Sequence, residues 1–237
     1  MGEYRERGAR VVAVVTLGGG GERGGDPMRR RRVRGHEVVN LAWSQVGAVW
    51  RGDGPRPLLA VLDLIDELPC GQAEAYVRCL RLLWPVVVAT SRPEHTAALL
   101  GAGALNVLDR SAPPGDLNAR LSADLRWVRR TDAGLRGSAP RGWRRPASRA
   151  AVPPFRTQSL LLDILTSLSG PVCCHDIRGL LGTPELPMSL PALRGRIQRL
   201  APYLAERGVV CGRAVRWGAD TITVSAGEES AGRPRAA

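Results

Sequence analysis

Three side chains in the first half of the chain have the types that could accept and hold a phosphoryl group. Asp63 lies near the end of an apolar run, Thr90 ends the next run, and Arg110 follows a shorter one. In a parallel α/β sheet, functional groups collect beyond the carboxyl ends of the strands, so these three would lie close together. The alternative is structural, with Asp63 as a strand-end carboxylate that binds a nearby helix N-terminus.

A second group of side chains, nearer the C-terminus, could bind nucleic acid. A helix predicted from Ser189 carries an apolar stripe that must face the protein interior. That orientation turns four polar residues sideways or outward: Arg194, Arg196, Gln198 and Arg199. Arg can bind guanine bidentately, and Gln can pair with adenine in the major groove. Arg213 and Arg216 in a following hairpin suit phosphate or minor-groove contact. The alternative is an amphipathic helix whose arginines are only solvated.

The charge of the chain points to a polyanionic partner. All 34 basic residues are Arg, and the formal net charge is +12. A positive field of this size attracts polyanions through phosphate neutralisation and counterion release, with nucleic acid as the first candidate and an anionic membrane as the second. No apolar run reaches the roughly 18 to 20 residues that span a bilayer, so we expect no membrane insertion.

Several chemistries are disfavoured by the residues present. Without Lys, the glycine run 18–25 cannot be a Walker loop, and Lys-based catalysis is excluded. His36, His95 and His175 belong to no metal-binding motif, so we expect no metal. Five cysteines without a Cys-x-x-Cys pair are typical of free thiols in a reducing cytoplasm. We therefore predict a cytoplasmic protein that is not an enzyme and has no cofactor.

The first of two predicted domains covers residues 1–130 and alternates strands with helices. Five apolar runs predict the strands 10–17, 37–42, 58–65, 84–90 and 105–108. Continuous apolar strands indicate a parallel sheet covered on both faces, and we predict a doubly wound α/β fold with five strands. The clearest helices are 91–100, opened by a capping box at Ser91, and 116–130. Dense glycine argues against a helix in 18–34.

A second, smaller domain is predicted over residues 156–226, after a linker over 131–155. The linker is rich in Gly, Pro and Ala and is strongly basic, with Arg136, Arg141, Arg144, Arg145 and Arg149. The domain begins with a helix capped by Thr157, followed by a short helix 176–181 and the helix from Ser189, which Pro202 should kink or end. Strands 209–215 and 221–224 then form a hairpin, giving a winged helix-turn-helix order. Residues 227–237 read as a disordered tail.

The first domain resembles the receiver domain of response regulators. The resemblance rests on Leu59-Ala60-Val61-Leu62-Asp63-Leu64, on Gly35-His36-Glu37-Val38-Val39, and on Gly101-Ala102-Gly103-Ala104. It implies that Asp63 is the phosphoacceptor, Thr90 the switch hydroxyl and Arg110 the counterpart of the family's phosphate-binding Lys. The family's acidic pair after strand one, which helps to hold Mg²⁺, is replaced here by Thr16-Leu17-Gly18. Because Mg²⁺ needs several oxygen ligands, we expect an atypical receiver that works without phosphorylation.

The second domain resembles the OmpR/PhoB-type winged-helix family over residues 156–226. The similarity lies in Gly170-Pro171-Val172-Cys173-Cys174, in the segment Leu193-Arg194-Gly195-Arg196-Ile197-Gln198-Arg199-Leu200, and in the hairpin with Gly218. It departs from the family in Pro202 and in a wing without the usual glycine-rich, Tyr-ending sequence.

The two resemblances together predict a bacterial transcription regulator that binds specific sites on double-stranded DNA. In the receiver family, the region corresponding to residues 93–130 often dimerises, so we expect a homodimer, with RNA polymerase as a further candidate partner. Two alternatives stay open: an adaptor whose winged helix binds protein, and a conventional regulator phosphorylated on Asp63.

Overall fold

The computed structural model describes residues 11–17, 36–51, 57–64, 68–138, 156–167, 170–216 and 218–226. The chain divides into two compact units, Met1–Ser138 and Ala139–Ala237, and each is described by itself. The predictions for the glycine-rich stretch 18–34, for linker residues 139–155 and for the tail 227–237 lie outside the described residues.

The first unit is built on a five-stranded parallel sheet. Its strands are β1 (Val11–Leu17), β2 (Glu37–Leu41), β3 (Pro57–Leu64), β4 (Val86–Thr90) and β5 (Asn106–Asp109). They lie in the order β2-β1-β3-β4-β5, with every neighbouring pair parallel. This is the flavodoxin-like order, in which the strand sequence reverses beside β1. The predicted doubly wound α/β fold is confirmed for this unit.

Helices cover both faces of this sheet. They are α1 (Trp43–Arg51), α2 (Cys70–Leu80), α3 (Thr96–Gly101) and α4 (Pro114–Ser138). On one face, four residues of α4 pack on strand residues that include Val12, Leu59 and Val87; the four are Leu117, Leu121, Leu125 and Val128. The alternate residues of the same strands are buried as well, so the opposite face is also covered.

Two helix boundaries in this unit differ from the sequence prediction. The capping box at Ser91 does not form, because a 3₁₀ turn, Pro93–His95, precedes α3 with Arg92 as its N-cap and without a side-chain cap hydrogen bond. Helix α4 continues past residue 130 into the segment predicted as linker and ends at Ser138. Glycines lower the helix propensity of this stretch, but extending an existing helix costs far less than nucleating one.

The second unit combines three helices with a small antiparallel sheet. Its elements are α5 (Arg156–Ser167), β6 (Val172–Cys173), α6 (Cys174–Leu181), α7 (Leu190–Ala205), β7 (Val209–Arg216) and β8 (Ala219–Ala226). The sheet has the order β6-β8-β7, and β7 and β8 form a hairpin. The helices bury an aliphatic core that includes Leu161, Ile164, Leu165, Ile177, Leu193 and Leu200.

Two details of these helices correct the sequence prediction. Thr157 does not cap α5, because that helix already begins at Arg156. Pro202 does not end α7, which continues to Ala205. A proline deprives the carbonyl four residues earlier of its partner, but that residue is the exposed Gln198, where water can replace the lost hydrogen bond.

None of the helices in the described part of the chain has both the length and the apolarity needed to cross a membrane.

Candidate functional site

The structure brings Asp63, Thr90 and Arg110 to one edge of the parallel sheet. Asp63 on β3 is fully buried, and it pairs with Thr16 of β1 on one side and with Ala89 of β4 on the other. Thr90 follows Ala89, and its carbonyl accepts a hydrogen bond from the backbone N–H of Arg110 (2.9 Å). The predicted juxtaposition follows from the parallel register, because neighbouring strands end at the same edge.

The central contact at this edge is an ion pair. The Nε of Arg110 donates to Oδ1 of Asp63 over 2.9 Å, and the Arg110 side chain is 22% exposed whereas that of Asp63 is 0% exposed. A carboxylate without access to water is costly unless it is paired, and Arg keeps its charge at any physiological pH. The ion pair with Arg110 therefore offsets part of the cost of burying this carboxylate.

Among the described residues, the end of β1 carries no carboxylate. Thr16 lies in register with Asp63, and the next residue, Leu17, is buried. Hard cations such as Mg²⁺ prefer several carboxylate, carbonyl or water oxygens. Within the described ranges, no group of three or more His, Cys, Asp or Glu side chains could hold a metal ion.

In the second unit, α7 presents only part of the predicted set of polar residues. Arg194, Gln198 and Arg199 are exposed, but Arg196 is half-buried, and its Nη1 has no hydrogen-bond partner among the described residues. Residues in an α-helix are about 100° apart, so Arg196 points about 200° away from Arg194 and meets the other flank of the buried stripe. Arg196 thus lies sideways on the helix, whereas Arg194, Gln198 and Arg199 face outward.

The hairpin separates its two arginines. Both Arg213 and Arg216 are exposed, but they are three residues apart on β7, and side chains of a strand alternate between its faces. Arg213 lies opposite Ile222 of β8, whereas Arg216 lies opposite Ala219 at the turn. Gly218 occupies that turn with φ 74°, a conformation that side chains other than glycine rarely adopt.

A residue that the sequence analysis did not single out connects the hairpin to α7. Asp220 on β8 accepts hydrogen bonds from Arg213 and forms an ion pair with Arg194. The hydrogen bond from Arg213 and the charges of both guanidinium groups hold the pKa of Asp220 below its ordinary value, although partial desolvation opposes them. The sequence feature that could have identified Asp220 is a single acidic residue in a hairpin that also carries arginines.

The cysteines and His175 differ in their exposure to solvent. The described structure has all five cysteines as free thiols, and burial raises the pKa of both Cys174 and Cys211, which makes them poorer nucleophiles. His175 is exposed near the start of α6.

Solved structures that are similar to part of the chain include the following two. One is the signal receiver domain of a protein described as a Luxo repressor from Vibrio parahaemolyticus, at 14% identity and a TM-score of 0.39, covering 53% of this chain and 96% of that one. The other is a protein described as the CpaE2 pilus assembly protein from Sinorhizobium meliloti 1021, at 17% identity and a TM-score of 0.35, covering 48% and 98%. Similarity this low carries no argument about function, and the fold assignment rests on the strand order.

No protein-family model matches the chain, and no curated protein sequence matches it.

Proposed function

We propose that this chain is a cytoplasmic transcription regulator of the response-regulator type, which binds double-stranded DNA through a winged helix-turn-helix in its second unit. The observation that carries the proposal is the exposure of Arg194, Gln198 and Arg199 on one helix beside a hairpin that bears further arginines. Their side chains suit the edges of guanine and adenine and the phosphates of a duplex. The net charge of +12 adds attraction that is independent of base sequence.

The direct test is titration of a labelled mixed-sequence duplex with the full chain at several salt concentrations. We expect the logarithm of the affinity to fall linearly with the logarithm of the salt concentration, because each neutralised phosphate releases counterions. A site selected by the protein from a random duplex library should then bind more tightly than the mixed duplex. Absence of duplex binding at low salt would contradict the proposal and favour a protein-binding adaptor.

The first unit, on this proposal, transmits a signal without phosphoryl transfer. The Asp63 carboxylate is buried and bonded to Arg110, and the adjacent β1 position holds Thr16 where a metal-binding acid would be needed. Without a divalent ion, less of the charge that develops in the transferring group is neutralised. Signals would therefore reach this unit through binding to its surface.

Incubation with acetyl phosphate and Mg²⁺ is expected to leave the chain unmodified. Intact-mass measurement should find no added phosphoryl group on the wild-type protein or on Asp63→Asn. If the wild-type protein gained one phosphoryl group and Asp63→Asn did not, the conventional phosphorylated regulator would be the correct interpretation. A phosphoryl group gained equally by both proteins would place the modification at another residue and leave Asp63 unreactive.

Self-association through residues 93–130 is the second part of the proposal. This range exposes two large apolar side chains, Leu100 on α3 and Trp127 on α4, of which Trp127 is 54% exposed. Tryptophan is enriched among residues that dominate protein interfaces because it removes a large apolar area from water. A dimer would also present two copies of the DNA-binding unit to a palindromic site.

We expect Trp127→Ala to weaken the dimer by about tenfold or more, because truncating an interface hot spot costs about 2 kcal/mol. Sedimentation equilibrium of the full chain measures the change in the dissociation constant. The matched control is Leu186→Ala, which removes an apolar side chain that is 80% exposed and lies in the second unit. An equal effect of both variants would contradict the placement of the interface.

A further inference from the structure

One carboxylate joins the hairpin of the second unit to the start of α7. Oδ1 of Asp220 accepts hydrogen bonds from Nε (3.0 Å) and Nη2 (2.5 Å) of Arg213. Its other oxygen, Oδ2, lies 3.6 Å from Nη2 of Arg194. Asp220 therefore uses its two oxygens for two cations that belong to different elements of the fold.

The register of the hairpin explains why these groups meet. Asp220 lies opposite Val215, and Arg213 lies opposite Ile222, so both charged side chains share one face of the hairpin. Apolar side chains share this face, with Val209 buried near the base of the hairpin and Ile222 buried directly opposite Arg213. Asp220 lies at the open end of this face, where Arg194 of α7 approaches it.

The two arginines keep much of their binding capacity while they are held. Their side chains are 47% and 48% exposed, whereas the Asp220 side chain is 25% exposed. Arg213 gives only its Nε and Nη2 groups to the carboxylate, and a guanidinium group has five N–H donors in total. Both cations can therefore contact Asp220 and an incoming phosphate or base at the same time.

We propose that Asp220 is a positioning residue for duplex binding, which fixes Arg194 and Arg213 as one preorganised pair and also suppresses binding to DNA of arbitrary sequence. This inference rests on the proposed function. Fixing two flexible side chains before binding removes part of the ordering cost of the specific complex. A carboxylate beside the phosphates repels a duplex of any sequence. Only a site whose groups contact the fixed arginines regains the binding free energy that this repulsion removes.

The protonation state of Asp220 agrees with this role. Its pKa lies below the ordinary value because of the hydrogen bond from Arg213 and the charges of Arg213 and Arg194, and the Cys174 thiol is the other titratable group that interacts with it. The ion pairs of Asp220 stabilise the folded unit fully at a pH above about 3.9, the pKa of an aspartate in the unfolded chain. This stabilisation is lost as the pH falls through the lower pKa that Asp220 has in the folded protein. The carboxylate is therefore charged at neutral pH.

The test compares three variants of the full chain on two duplexes, one of mixed sequence and one selected by the wild-type protein. Asp220→Asn removes the charge, and Asp220→Glu keeps the charge but displaces it by one methylene. Glu206→Gln is the matched control, because it removes one carboxylate about 18 Å along α7 from Arg194. Fluorescence anisotropy gives both affinities, and circular dichroism verifies that each variant is folded.

For Asp220→Asn we expect mixed-duplex binding about five-fold tighter, the effect of one charge a few ångströms from phosphate in water, with a steeper salt dependence. The preference for the selected duplex should fall by about tenfold, in line with one weakened base contact. Asp220→Glu should lose the same preference without the gain in mixed-duplex affinity, and Glu206→Gln should change neither.

Two results would overturn the inference while leaving the proposed function intact. Either Asp220→Asn and Asp220→Glu keep the wild-type preference, or Asp220→Asn and Glu206→Gln shift both affinities by the same factor. Failure of the wild-type protein to bind any duplex would instead reject the proposed function, and the positioning role with it.

Discussion

Replacing Arg194 and Arg199 together by alanine is expected to lower the affinity for the selected duplex by about 100-fold or more. Each arginine that contacts a base edge contributes about 1–3 kcal/mol of discrimination, and the two residues are exposed on the same helix. The measurement is anisotropy at fixed salt, with the mixed-sequence duplex as reference. The selected duplex should lose more affinity than the mixed duplex does, because phosphate contacts elsewhere on the chain persist.

The control for this variant must remove the same charge from another surface. Arg78 and Arg81 at the C-terminal end of α2 lie outside residues 93–130, and their double alanine variant lowers the net charge equally in the first unit. If the control variant lowered the affinity for the selected duplex as strongly, net charge alone would explain the binding to DNA, and α7 would have no special role. Arg196 is unsuitable for the experiment because it is half-buried, so its replacement would also disturb the packing of α7.

Replacing Arg110 by alanine is expected to destabilise the sheet of the first unit by about 3 kcal/mol. Removing one partner of a buried ion pair costs about 3–5 kcal/mol, and the partial exposure of Arg110 places this pair at the low end of the range. The unfolding of a chain with two compact units is not described by a single two-state transition. Amide hydrogen exchange reports the stability of each unit separately and is therefore the suitable measurement. Protection should fall in peptides from β3 and β4 and stay unchanged in peptides from α7.

A double-mutant cycle separates the charge from the packing of this pair. Asp63→Asn keeps the shape of the side chain but removes the charge, so Asp63→Asn with Arg110→Ala should recover most of the protection lost in Arg110→Ala. If Arg110→Ala alone exchanged like the wild-type protein, the ion pair would not stabilise the sheet. If the double variant were as unstable as Arg110→Ala, the loss would come from the packing of the arginine side chain.

The ion pair of Asp63 and the two ion pairs of Asp220 have different consequences for the candidate sites. The pair of Asp63 and Arg110 joins residues that are 47 positions apart and lies in the interior, where it stabilises an edge of the sheet. The pairs of Asp220 lie at the surface, where solvent and salt weaken them, so their expected effect is on binding more than on stability. This difference in burial is why we read the first as structural and the second as functional.

The strands and the main helix of the first unit were predictable because their signal is local. The apolar runs of β1, β3 and β4 have no polar face, which only a sheet covered on both sides can bury. The leucines of α4 recur at helical spacing and pack on the sheet as expected. Boundaries were less predictable, since a 3₁₀ turn precedes α3 in place of a capped helix start and α4 extends to Ser138.

The amino-acid sequence by itself determined the alternation of apolar and polar residues, and with it the parallel sheet, the α7 helix and the arrival of Asp63, Thr90 and Arg110 at one sheet edge. Only the tertiary structure decided that Asp63 pairs with Arg110, that Arg196 is half-buried, and that Asp220 holds two arginines. Periodicity acts between residues a few positions apart, whereas an ion pair between distant segments depends on how the whole chain packs.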